Sequence, residues 1–427
     1  MKVIARQDRA FKAAVARIMS RSNLNIGPVE AAVKSILKGV ERGGDRAVIR
    51  YTKKFDRLEL KSSQLRVGPQ QVKEAYYSIR KEEGDALRFA AQRITAFHER
   101  QRPKSWMYQD GGATLGQMIL PLDSVGVYVP GGKAVYPSSL LMSAIPAKVA
   151  GVKRVVMCTP AQKDGISPYL LVAADIAGVD EVYRIGGVQA IAAMAYGTAS
   201  IARVDKIVGP GNIYVATAKR MMYGTVGIDM MAGPSELLVV ADGSANPAHV
   251  AADLLCEAEH DEEAKVYLIT TSMRVAQEVS RRVREQLTKL TREKITTKSI
   301  ARHAVAFVVE DLDTAIMLAN QIAPEHLTLS VDKPFDYLEK IRHAGALFLG
   351  RYTPPAVADY VAGPNHVLPT GGTARFFSPL SVEDYMKASN IIAYSKEELG
   401  KVKDHLVRIA HMEGLEAHAK SLESRQP

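Results

Sequence analysis

Apolar positions recur at three- and four-residue spacing over residues 29–51 and again over 72–100, with charges between them, which predicts a helical lead-in. The first turns, residues 1–21, are basic and amphipathic. They read as a mature N-terminal helix rather than a transit sequence, because Asp8 interrupts them and further helical pattern follows directly. After a polar, hairpin-like stretch at 111–117 the texture changes. Short apolar runs at 125–129, 155–158, 181–185 and 206–208 predict strands, and the stretches at 137–149, 168–176, 189–195 and 212–222 predict helices, the first kinked at Pro146. A second series starts at Glu236. It has strands at 237–241, 265–269, 304–309, 326–331 and 346–349, with helices opened by Asn246-Pro247, running on from Met273, and at 312–322 and 335–342. Strands separated by helices of about ten residues imply right-handed crossovers and parallel sheets. The fold class is therefore α/β, two doubly wound units meeting near Gly233-Pro234. From about Leu380 the pattern is helical but too polar to make a core, so this tail must pack on its own subunit or another.

Composition narrows the functional classes. At 427 residues the chain has room for two or three domains with buried cores, and its 47% hydrophobic and 24% charged residues are those of an ordinary globular protein. No apolar run approaches the roughly 20 residues that span a bilayer, so no membrane role is expected. The net charge of +10 raises the question of nucleic acid. The densest basic run, from Arg274 to Lys298, holds no aromatic residue, and a solvated helix face accounts for it; no nucleic-acid partner is expected. Two cysteines, Cys158 and Cys256, make no disulfide framework, which favours a reducing cytoplasm.

Several residue patterns carry candidate chemistry. Glu257 and His260 stand three apart at the end of the helix opened by Asn246, so both leave one face; that arrangement suits a shared metal ion or an ordinary solvated helix end. Gly209-Pro210-Gly211-Asn212 follows a strand and precedes a helix in the order of a dinucleotide fingerprint, with Asp229 about 20 residues on where a ribose-binding carboxylate would fall. The third glycine is missing, and a tight turn is an equal reading. Gly131-Gly132 and Gly186-Gly187 end strands in the same way, and the convergence of three glycine turns on the carboxyl edge of a sheet favours a nucleotide-sized ligand. Glu325-His326 opens a strand with a carboxylate beside an imidazole, a pair able to move protons near neutral pH. Asp359 and His366 sit in a long proline- and glycine-rich connection, and Glu413 and His418 in the polar tail. His98, His249, His303, His343, His405 and His411 show no partner pattern and read as surface or packing residues.

Taken together, the motifs resemble the histidinol dehydrogenase family. They are Val-Gly-Val-Tyr-Val-Pro-Gly-Gly at 125–132, Gly-Gly-Val-Gln-Ala-Ile at 186–191, Val-Gly-Pro-Gly-Asn at 208–212, Ala-Gly-Pro-Ser-Glu at 232–236, Glu-Ala-Glu-His-Asp at 257–261, Ala-Pro-Glu-His-Leu at 323–327, Gly-Pro-Asn-His-Val-Leu-Pro-Thr at 363–370 and Glu-Gly-Leu-Glu-Ala-His at 413–418. They run in family order over nearly the whole chain. The resemblance implies a zinc- and NAD-dependent oxidoreductase that takes L-histidinol through L-histidinaldehyde to L-histidine, the last step of histidine biosynthesis, with two NAD reduced and one Zn2+ per subunit. It implies zinc ligands Glu257, His260, Asp359 and His418, proton acceptors Glu325 and His326, and NAD contacts at Tyr128, Gln189 and Asn212. Substrate contacts would be Ser235, Glu257, His260, His326, Asp359, Glu413 and His418.

The resemblance also implies a homodimer whose tail reaches the partner's site, two incomplete Rossmann-like domains, and small helical terminal segments. The expected divisions are residues 1–22, an α/β domain of 23–127 with 237–380 carrying most zinc and catalytic residues, an NAD-binding domain of 128–236, and the tail 381–427. One position departs from the pattern: the family usually has glutamine where this chain has Glu257. That departure keeps open a related dehydrogenase of another small amino or sulfonated alcohol, and behind it a catalytically idle dimeric binding protein.

Overall fold

A computed structural model describes residues 1–20, 27–131, 135–162, 165–231 and 233–425. Gly132 of the first glycine turn, Ala232 of the motif at 232–236, residues 21–22 of the N-terminal segment and 426–427 of the tail lie outside them. Contacts divide the chain into two units, one formed by Met1–Gln101 with Leu122–Tyr385 and the other by Arg102–Pro121 with Met386–Pro427.

The described residues form fourteen strands. They are β1 (Lys2–Ala5), β2 (Trp106–Asp110), β3 (Ala113–Pro121), β4 (Ser124–Tyr128), β5 (Arg154–Cys158), β6 (Glu181–Tyr183), β7 (Lys206–Val208), β8 (Gly227–Ile228), β9 (Glu236–Ala241), β10 (Lys265–Thr270), β11 (Val305–Val308), β12 (His326–Ser330), β13 (Ala346–Leu349) and β14 (Met386–Tyr394).

In the first unit, two sheets are parallel throughout, as the alternation of apolar runs and helices predicts. One has the order β6-β5-β4-β7-β8 and the other β1-β11-β10-β9-β12-β13. The six-stranded sheet is covered on both faces. Phe11, Val15 and Ile316 pack with Leu238, Val240 and Phe307 on one side, and Leu254, Val275 and Val279 pack with Val239 and Leu268 on the other. Burial on both faces is why β9 and β10 read as unbroken apolar runs. In the five-stranded sheet the chain runs outward from β4 through β5 to β6, and in the opposite direction from β7 to β8, so β4 and β7 flank a topological switch point.

Four expectations about the terminal segments and connections need correction. Residues 2–5 are a strand, not the start of a helix: β1 extends the six-stranded sheet beside β11, and the helix begins at Ala10. The stretch from Met273 forms two helices, Met273–Leu287 and Glu293–His303, and the stretch at 335–342 is a 3-10 helix, Pro334–Lys340. The tail has a short 3-10 helix at Val382–Tyr385 and is α-helical only from Lys396. Before it β14 pairs antiparallel with the whole of β3, from Met386 opposite Pro121 to Tyr394 opposite Ala113, and β2 completes this three-stranded sheet of the second unit.

Candidate active site

The helix Pro247–Ala258 delivers Glu257. Its start is set by Asn246, whose side chain accepts from Ala248 N at 2.9 Å, and by Pro247 at the first helical position. Val250, Ala251, Leu254, Leu255 and Ala258 bury one stripe in the core, which leaves Glu257 at the sheltered end of the helix and His260 just beyond it. Glu257 is buried, and His260 Nδ1 lies 3.6 Å from its Oε1. The Ser235 hydroxyl also donates to this carboxylate.

Glu325 and His326 arrive at the amino end of β12, beside the amino end of β9. The backbone of one residue, Glu236, holds both. Glu236 N donates to Glu325 Oε2 at 2.8 Å, and the ring nitrogen Nδ1 of His326 donates to Glu236 O at 3.1 Å. A carbonyl only accepts, so Nδ1 carries the hydrogen and the neutral ring presents Nε2 as its basic atom. Glu257 Oε2 lies 3.2 Å from the same Nδ1. The backbone around the pair is constrained: Ala323, two residues upstream, has φ +50°, and a Cβ on Gly345 would come within 2.6 Å of Glu325 O. A non-glycine residue in the left-handed region carries strain, and such residues gather at functional sites.

Electrostatics mark this cluster as short of positive charge. Burial, then the Glu257 carboxylate, pushes Glu325 well above the usual carboxylate range. Burial also raises Glu257, opposed by His260 and the Ser235 hydrogen bond, and raises Asp359 to about 6, opposed by His326 and reinforced by Glu257. Burial lowers His326, which keeps its ring neutral. A dication satisfies such a set directly. Two further observations fit one: Glu257 Oε1 is buried without a hydrogen-bond partner, and donor atoms of Glu257, Glu325 and His326 lie within 4.8 Å of one another. That trio shares only Glu257 with the ligand set expected from sequence. His326 Nδ1, committed to Glu236 O, has no lone pair to give.

Asp359 lies in the helix Pro355–Tyr360, which packs against the Glu257 helix, and is electrostatically coupled to both Glu257 and His326. Its backbone carbonyl accepts from His366 Nδ1 at 2.9 Å. His366 is partly buried within electrostatic range of His326 and His260, and desolvation lowers its pKa to about 4. The sequence places His366 in the right loop but assigns it no task; its seven-residue spacing from Asp359 was the available signal. Glu236 leaves no such trace, because it acts through its backbone. Glu413 and His418 belong to the second unit, where Glu413 caps the helix Lys396–Met412 and His418 lies exposed on the helix Glu416–Glu423. His98, read as a packing residue, is buried, with Nδ1 on Ile94 O at 2.8 Å.

The expected cofactor residues stand at the carboxyl edge of the five-stranded sheet. Tyr128 ends β4, and its hydroxyl accepts from Gly187 N at 3.1 Å. Gln189 is buried with Nε2 unpartnered, in the helix Gly187–Tyr196. Asn212 caps the helix Ile213–Met222, its Oδ1 accepting from Tyr214 N at 3.0 Å and Val215 N at 3.2 Å. Asp229 is not a ribose ligand: it is buried against Lys219, so no hydroxyl of a cofactor reaches it. The carboxyl-edge rule thus describes the glycine turns, whereas Glu325 and His326 occupy the amino edge of the other sheet.

The family described as histidinol dehydrogenase matches residues 19–426. A histidinol dehydrogenase of Syntrophotalea carbinolica is 51% identical over 426 residues, covering 100% of this chain and 99% of the relative, and one of Bacillus cereus is 51% identical over 419 residues, covering 97% of each. The solved structure of histidinol dehydrogenase from Elizabethkingia anophelis superposes with a TM-score of 0.94 at 34% identity, covering 100% of this chain and 98% of that one.

Proposed function

Because this chain belongs to the histidinol dehydrogenase family, we propose that it oxidises L-histidinol through L-histidinaldehyde to L-histidine, the closing step of histidine biosynthesis, with two NAD reduced per turnover. The observation that carries the reading is the pairing of Glu325 and His326 on the backbone N–H and carbonyl of Glu236, beside the buried carboxylate of Glu257 and the partly buried one of Asp359.

In this reading each of the chain's own groups has one task. His326 is held neutral with Nε2 free, so it accepts the hydroxyl proton of the alcohol as the first oxidation begins. Glu325, oriented by Glu236 N, takes a proton from the water that adds to the aldehyde, which prepares the second oxidation. Ser235, Glu257, His260, Asp359 and His326, with Glu413 of the partner subunit and His418 of the partner subunit, bind and orient histidinol. Glu257, His260 and Asp359, with His418 of the partner subunit, would hold one zinc ion per subunit, which when bound would supply a Lewis-acidic centre for orienting the substrate. Tyr128, Gln189 and Asn212 would hold NAD, which when bound would supply the hydride acceptor for each oxidation.

We further propose that the protein is a cytoplasmic homodimer whose tail supplies Glu413 and His418 to its partner. Exposed Trp106, Met107, Ile392 and Met412 in the second unit support an apolar contact of this kind. The division into an NAD-binding domain of 128–236, a catalytic domain of 23–127 with 237–380, and terminal segments of 1–22 and 381–427 belongs to the same proposal. The test is a substrate panel. L-Histidinol should give NADH with kcat/KM at least on the order of a hundredfold above amino alcohols lacking the imidazole or sulfonated alcohols, because buried donors left unpaired penalise the wrong ligand. Preference for another alcohol overturns the assignment.

A further inference from the structure

Two charged side chains that this chemistry does not use are buried beneath the glycine turn after β7. Lys219, in the helix Ile213–Met222, and Asp229, just after β8, are 4% and 2% exposed and form an ion pair. Both also bond the same residue. Lys219 Nζ donates to Gly209 O at 2.9 Å, and Gly209 N donates to Asp229 Oδ2 at 2.8 Å. The two backbone groups of Gly209 are thereby both held. Its φ of +110° is open to glycine, and a Cβ there would collide with the Tyr128 carbonyl, so the turn rests directly on the Tyr128 backbone. Three residues later comes Asn212 at the start of the helix.

An apolar pair of the same volume would fill this space without taking two charges out of water. What it would lack is a directional hold on the two peptide groups that flank Gly209. Lys219 and Asp229 fix Gly209 in position and orientation, and Gly209 connects the two backbone segments that carry Tyr128 and Asn212 at the switch point of the sheet. We propose that Lys219 and Asp229 are positioning residues for the nicotinamide cofactor: their buried pair clamps Gly209 so that Tyr128 and Asn212 present one preformed surface to NAD. The inference rests on the assignment of NAD to this edge. It also removes the Gly209 amide from any part in binding phosphate.

The experiment uses the zinc-loaded, full-length Lys219→Met/Asp229→Leu double variant, which removes both charges together and so leaves neither one buried alone. NADH binding is measured by fluorescence titration without histidinol, alongside KM and kcat. The NADH Kd and the NAD KM should rise on the order of tenfold, the loss of about one oriented hydrogen bond. The histidinol KM, the zinc content and kcat at saturating NAD should stay within about twofold. A folded double variant that binds NADH like the parent overturns the inference and makes the pair core filling. Lys219→Gln/Asp229→Asn, which offers Gly209 an uncharged donor and acceptor, should retain more NADH affinity than the Met/Leu variant, and a loss as large as that variant's counts against the clamp. Lys219→Gln/Asp229→Leu frees only the Gly209 amide and decides the question if the first variant does not fold: unchanged NADH affinity overturns the proposal. Gln189→Ala serves as reference. If it weakens NADH and the double variant does not, the clamp falls and the cofactor edge stands; if neither weakens NADH, both fall.

Discussion

Glu257 is the residue at which the resemblance leads one to expect glutamine, and its surroundings say what a carboxylate does there. A carboxylate there adds charge to a site already holding Glu325 and Asp359, which strengthens its hold on a dication and raises the cost of being without one. Glu257→Gln keeps an acceptor for Ser235 and for His326 Nδ1. It should weaken zinc affinity on the order of tenfold while the zinc-loaded enzyme retains its turnover. A competition titration showing unchanged zinc affinity would remove Glu257 from the ligand set. His326→Asn separates orientation from basicity, because the amide can still donate to Glu236 O but cannot accept a proton at Nε2. The expected result is a fall in kcat of about 10²–10⁴-fold with little change in the histidinol KM. A matching rise in KM would point to binding rather than proton transfer. Glu325, His326, Glu257, His260 and Asp359 were singled out as candidates in the sequence, since their chemistry is in their side chains, and the fold gathers them. Glu236 and Lys219 were not, because one acts through a peptide group and the other is an ordinary helix lysine until the fold buries it.

The helix Pro247–Ala258 shows how an element converts packing into a site. Its cap, proline and apolar stripe are local signals, and they place its start and its buried face correctly in the sequence. Leu254→Ala deletes a fully buried side chain in that stripe and should cost about 2–5 kcal/mol, read as a shifted denaturation midpoint. A cost below about 1 kcal/mol would mean that the helix is not anchored as described. Strand β14 failed to show for the opposite reason. Met386 to Tyr394 is almost wholly exposed in its own unit, so it has no buried face to impose a period of two, and its pairing with β3 spans some 270 residues of sequence. Strand β1 is four residues long and runs into an amphipathic helix whose pattern masks it. Elements with an internal hydrophobic signal were readable, and those defined by a distant partner were not.

For the whole molecule, alternation of strands and helices was enough to predict two parallel sheets, but strand order was not. That β9 lies between β10 and β12, bringing Glu236 to His326, depends on contacts the local pattern does not encode. The proposed tail exchange makes a prediction at this scale. If His418 completes the partner's site, coexpressing an inactive His326→Asn chain with an inactive His418→Ala chain should restore activity, because mixed dimers then hold one complete site. Mixtures no more active than either parent would place His418 in its own subunit's site.

The central claim, a four-electron oxidation of histidinol at a zinc site, is tested most directly by counting NADH formed per L-histidinol consumed before chelation, after complete zinc removal and after zinc is restored. The account predicts two NADH per histidinol, loss of the reaction without zinc, and recovery on its return. One NADH per histidinol, or a rate indifferent to the metal, would contradict it.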